Sequence, residues 1–198
     1  EQPFSLKGNV GPIGRMPGKG TVPLDLSVTA LEQVVIGLKG NVVDPVTQPK
    51  FNLTIDVPPF SPRKVVAATG KALPVSTSDP DVLNHVSFKA GIKGDSKGVS
   101  VSGGIMDIDE SKVNFTAKAG DFERPRIVFD MDIDQIDLDR YLPPTRQGQK
   151  EAGEKAKSEG TKKTDYSKLR RMALNGTMNI GKLKIKNAKI DRVRLTLT

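Results

Sequence analysis

Asp130, Asp132, Asp134, Asp137 and Asp139 crowd one short stretch of the 198-residue chain, and carboxylates at such spacing are what a calcium loop uses. An EF-hand loop needs Gly at its sixth place and Glu at its twelfth. Counted from Asp130 those places hold Gln135 and Tyr141, so the pattern fails and no metal site is expected. Alternation explains the first three Asp as the wet face of a strand. Asp107 and Asp109 are the next carboxylates that could share a proton. One residue apart on a strand, they face the same side, and ordinary surface is the better reading. His85 is the sole histidine and Cys is absent, which removes two-imidazole sites, thiol nucleophiles and cysteine-held zinc. His85 itself reads as a surface or edge residue. There is no Gly-x-Ser-x-Gly elbow and no phosphate loop. The expectation is a protein that is not an enzyme and carries no cofactor.

The formal net charge of +8 invites a nucleic-acid reading. Residues 1–144 hold 16 Lys+Arg against 18 Asp+Glu, whereas residues 145–198 hold 15 against 5. The basicity thus belongs to the last quarter, where Lys182, Lys184, Lys186, Lys189, Arg192 and Arg194 alternate with apolar residues. Interleaving places them on the outer face or along an edge of a sheet. They either keep an edge strand soluble or attract anionic lipid headgroups. Nucleic acid fits poorly, because interleaved aromatics and the known basic folds are missing.

The dominant pattern along the chain is period-2 alternation. Val22 to Val28, Val34 to Leu38, Phe51 to Val57, Val86 to Ile92, Val99 and Val101, Met106 and Ile108, Val113 to Ala117, Ile127 to Ile133, Met172 to Ile185 and Val193 to Leu197 all carry it. Apolar parity switches after Gly181, which predicts a bulge. The spacing of turns argues for antiparallel meanders. Short helices are expected near 61–70, where Ser61-Pro62 supplies a cap and Gly70 a stop, near 78–84 and near 137–142. The fold class is therefore mainly β: a curved antiparallel sheet of repeated hairpins, either an open groove or a folded-over sandwich, with a few short helices. Residues 1–144 form the repeat region, 145–168 a polar disordered loop, and 169–198 terminal strands continuing the sheet. Residues 11–20 form a second loop candidate. No apolar run approaches the roughly 18 residues of a membrane-spanning helix. The chain opens on Glu1 and reads as a piece of a longer protein.

Pro49-Lys50-Phe51-x-Leu53-x-Ile55-x-Val57-x-x-Phe60 is echoed by Pro125-Arg126-Ile127-x-Phe129-x-Met131-x-Ile133-x-x-Ile136, at an offset of 76 residues. Such repetition points to a sheet extended by like units. Its apolar rows have little helix to cover them. They must close on themselves, on a missing part of the protein, or on an apolar ligand. Aliphatic walls with few aromatics suit acyl chains better than bases. The candidate lining is Phe51, Leu53, Ile55, Val57, Phe88, Phe115, Ile127, Phe129, Met131 and Ile133.

The run Ile127 to Pro144, with Asp137-Leu138-Asp139-Arg140-Tyr141-Leu142-Pro143, resembles the AsmA family of Gram-negative envelope proteins. So do Leu174-Asn175-Gly176-Thr177-Met178-Asn179-Ile180-Gly181-Lys182-Leu183-Lys184-Ile185 after a polar loop, and the tail Ile190 to Leu195. Pro3 to Gly8 and Val22 to Leu26 are similar to the family's opening strands. The resemblance implies a periplasmic segment of an inner-membrane-anchored protein, related to bridge-like lipid-transfer proteins. It implies support of outer-membrane biogenesis by binding or conducting phospholipid along an apolar β-groove, with membrane attachment through an anchor helix that this sequence lacks. The alternative is a non-catalytic structural module whose sheet edges pair with neighbouring repeats or envelope partners.

Overall fold

The computed structural model describes residues 4–12, 19–31, 33–71, 73, 75–122, 125–143 and 173–198. The expected loop 145–168 and most of 11–20 lie outside these. Ten strands form a single sheet whose spatial order equals chain order: β1 (Phe4–Val10), β2 (Thr21–Ala30), β3 (Val34–Val43), β4 (Lys50–Phe60), β5 (Val86–Gly94), β6 (Gly98–Ile108), β7 (Ser111–Gly120), β8 (Arg126–Asp137), β9 (Ala173–Ile185) and β10 (Ala188–Leu197). The sheet does not close into a barrel. Contacts between elements run along the sheet, strand to neighbouring strand, so the sandwich form is not adopted.

Three expectations are corrected. The sheet is mixed, because β8 and β9 run parallel, Arg126 beside Ala173 through Asp137 beside Lys184. A parallel pair needs a crossover long enough to return the chain to its starting end, and the long polar stretch between these strands supplies the length. Residues 78–84 form no helix; Pro80 to Leu83 make turns. Gly181 brings no register shift with either neighbour. Instead the apolar spacing lengthens to three residues in all three strands at once, Ile133 to Ile136, Ile180 to Leu183 and Ile190 to Val193, with Arg192 at φ 57°. The strands change parity in step, so no one of them carries an extra residue. Register shifts occur elsewhere, between Val57 and Phe60, Lys89 and Gly91, and Val101 and Gly104. β1 lies outside the alternation read from the sequence and is exposed at every residue.

The repeat is structural. β4 and β8 begin and end in equivalent places, and each runs into a cap: Ser61 accepts from the Lys64 N–H at the start of α1 (Pro62–Ala68), and Asp137 accepts from the Asp139 N–H at the 3₁₀ turn Leu138–Arg140. No helix among the described residues is long and apolar enough to cross a membrane.

Candidate functional site

Cross-strand partners share a face, so the register can be followed across the sheet. One row runs Val57, Phe88, Met106, Val113, Ile133, Ile180, Val193 over seven adjacent strands. A second joins Leu26, Leu38, Ile55 and Ala90, then resumes beyond the β6 irregularity as Gly104, Phe115, Met131, Met178, Leu195. A third runs Leu24, Gly40, Leu53, Ile92, Val101, Ala117, Phe129, Gly176, Leu197. The fourth is Val22, Val42, Phe51, Gly94, Val99, Ala119, Ile127, Leu174. All ten lining residues read from the sequence therefore fall on one face. The candidate lining leaves out much of each row, including Leu24, Ile92, Met106 and Val113, although alternation places them on its strands.

The floor is shaped by glycine. A Cβ at Gly94 would lie 2.6 Å from the Phe51 ring, one at Gly104 2.6 Å from Phe115, and one at Gly176 2.5 Å from Phe129. Each phenyl ring thus lies over a glycine of the next strand, a device that fills the hollow left by a missing side chain. Phe88 and Phe115 stand two strands apart, about 9.5 Å for a flat backbone, yet their ring centroids are 5.8 Å apart. The rings lean together over the Gly103–Gly104 irregularity. The ten lining residues are half-buried, and among the described residues the buried apolar side chains are only Val22, Val82, Ala90, Val113 and Ile180. The opposite face is polar, with exposed pairs Lys39–Asp25 at 3.0 Å and Lys89–Asp56 at 3.2 Å. Such exposed pairs contribute about 0–1 kcal/mol.

The terminal basic residues divide between two places: Lys182, Lys184 and Lys189 line one cleft with Arg140, and Arg192 and Arg194 lie at another. Lys184 Nζ sits 2.7 Å from Asp137 Oδ2, and this bond holds its pKa above the usual lysine value. Lys182 and Lys189 line a cleft of about 380 Å³ with Leu183, Ile190 and Asp191 at the β9–β10 turn end. Arg194 pairs across from Asn179 on the polar face, whose side chain donates to Asp132 at 2.8 Å.

At that same end the residues that carried the family resemblance do structural work. Arg140 Nε donates to Asp79 Oδ2 at 2.6 Å and its Nη1 to Glu110. The Asp79 N–H donates to the Arg140 carbonyl, and the Ser78 N–H to that of Leu142. Arg63 of α1 reaches the same segment from the other side, with Nε 2.5 Å from the Val82 carbonyl. Residues 77–83 are thus clasped between the caps of the two repeats, and Val82 is fully buried there.

Asp109, read as ordinary surface, is the hub of this clasp. It accepts from the backbone N–H of Leu83, Asn84 and His85 and from the Tyr141 hydroxyl at 2.8 Å. Partial burial pushes its pKa up, but the Leu83 N–H, the Tyr141 hydroxyl and the two other N–H groups outweigh it and hold the carboxyl below its ordinary value. Its φ of 51° places it in the left-handed turn between Ile108 and Ser111, a conformation that Asp tolerates. Asp107 accepts from Ser87 instead, so the two carboxylates have separate partners. His85 is exposed. Much of the acidic run holds neighbouring strands and turns: Asp134 accepts from the Lys112 N–H, and Asp139 from the N–H groups of Lys186 and Asn187. Among the described residues no acidic or histidine group gathers to hold a metal.

No family model, curated protein or solved structure matches this chain.

Proposed function

We propose that this chain is a non-catalytic periplasmic segment of an AsmA-like, inner-membrane-anchored protein. Its apolar face binds or conducts phospholipid, or another acyl-chain lipid, in support of outer-membrane biogenesis. The observation that carries the reading is the set of apolar rows crossing the sheet with no second layer over them among the described residues. A sheet face of this width in water is costly, and each methylene laid on it gains about 0.8 kcal/mol. Native mass spectrometry of gently purified protein is expected to find phospholipid bound. A lipid-free, fully folded monomer that takes up none from added phospholipid would contradict the proposal.

One observation favours a second reading, a structural module that pairs through its sheet edges. Edge strand β1 is exposed throughout, with Phe4 at 67% and Leu6 at 60% of their full exposure. An open edge of this kind is a template for another strand. Under that reading sedimentation velocity finds concentration-dependent oligomers that form without lipid; a monomer at all concentrations opposes it.

A further inference from the structure

The sheet has a second end, opposite the clasp, where the turns after β3, β5 and β7 project. There the fold gathers Lys50, Lys93, Lys97, Lys118 and Arg126, all exposed, along a cleft of about 600 Å³. They come from four separate stretches of a region that is net acidic in sequence, Lys93 and Lys97 sharing one hairpin, so the charge count gives no sign of them. No salt bridge joins any of the five to an acid among the described residues, and the nearest acid interaction is the attraction of Lys97 and Lys50 to the Asp95 carboxylate, which adds to the Lys97 N–H bond in holding that carboxyl below its ordinary value. The acids nearby are engaged with backbone: Asp95 accepts from the N–H groups of Lys97 and Gly98, and Asp44 from that of Gly20. Two apolar side chains project from the tips of the same turns, Val46 at 75% and Phe122 at 56% exposure.

We propose that this end of the sheet docks on an anionic lipid bilayer. Adjacent strands are about 4.8 Å apart, so cations on β4 through β8 spread over about 20 Å. That is a line suited to a charged surface rather than to a single small anion. Lysines near such a surface are each attracted by its headgroups, and apolar tips between them enter the boundary between headgroups and acyl chains. The apolar row from Val22 to Leu174 is the nearest of the four to this end, so a docked sheet meets the bilayer with its apolar face beginning at the membrane. Docking does not depend on the lipid-carrying reading: vesicle binding can fail while lipid stays bound to the face, and the reverse.

The test is flotation of the full chain with vesicles of phosphatidylcholine alone or with added phosphatidylglycerol, at low and high salt. The chain is expected to float only with the anionic lipid and to be released by salt, as the screening length contracts from about 10 Å at 0.1 M to about 3 Å at 1 M. Each cation removed lowers partitioning about fivefold, so K93Q/K97Q/K118Q is expected to lose about 100-fold. K182Q/K189Q/R194Q, at the other end and on the polar face, is expected to bind as the parent does. Salt-insensitive flotation of the parent overturns the proposal without any variant. Undiminished binding by the first triple variant, loss confined to the second, or tighter binding of a short DNA duplex than of anionic vesicles at equal salt would each overturn it too.

Discussion

Tyr141 and Asp109 meet at 2.8 Å where three backbone N–H groups already converge on the same carboxylate. Removing the hydroxyl in Tyr141→Phe is expected to cost about 1–2 kcal/mol in a denaturant titration. Asp109→Asn, which leaves several donors facing an amide, is expected to cost about 1–3 kcal/mol. The pair also sets the pH response. The Asp109 carboxyl is held low in the fold, so its contribution is present above about pH 4 and is lost as pH falls through the folded-state value. Asp79, held low by the Asp81 N–H and by Arg140, adds to the same acid limb. Burial, then the bond to Asp109, pushes the Tyr141 phenol up. Its contribution is complete below about pH 10 and is lost as pH rises further. Melting temperatures across pH are therefore expected to fall at both extremes. Tyr141→Phe should flatten the alkaline limb and Asp109→Asn the acid one. Unchanged limbs in both variants would remove the clasp as a stabilising device.

Among the elements, glycine decides how closely the strands pack. A Cβ at Gly40 would lie 2.1 Å from the Asn52 carbonyl, at φ 151°, so Gly40→Ala must push β3 and β4 apart. It is expected to cost about 1–3 kcal/mol, read by thermal melting. A neutral outcome would mean the two strands are held less firmly than their register implies. The elements are also where legibility from sequence divides. β4 and β8 are plain in the sequence because Phe51 to Val57 and Ile127 to Ile133 alternate without interruption, and alternation is the physical consequence of one shielded face. β1 is marked only by the resemblance at Pro3 to Gly8 and not by alternation, because Gly8 breaks the apolar series in FSLKGNV. The parallel pairing of β9 was not legible, since Met178 and Ile180 fit Met131 and Ile133 on one face in either direction. Ser78-Asp79-Pro80 has the composition of a helix start. Arg63 and Arg140 instead hold its carbonyl and carboxylate from both sides, and a turn results. The lining residues were legible because parity alone assigns a face. Asp109 and the basic end were not, because both are assembled from turns far apart in sequence.

At the scale of the whole molecule the central fact is that the described strands form a sheet one layer thick. Its net charge of +8 had pointed to the last quarter of the chain, but the fold divides charge by end instead. One end is tied by Arg140, Lys184 and their acids, and the other is open and basic. Between the ends lies the apolar face on which the functional proposal rests. Face and side chain alternate along β8, so adjacent residues test that proposal against each other. A photo-crosslinking amino acid is placed at Phe129, Met131 or Ile133, and in parallel at Asp130 or Asp132, in cells making the full-length protein. The account predicts lipid adducts, identified by mass spectrometry, at the three apolar positions and none at the two aspartates. Adducts to neither set, or equally to both, would contradict it.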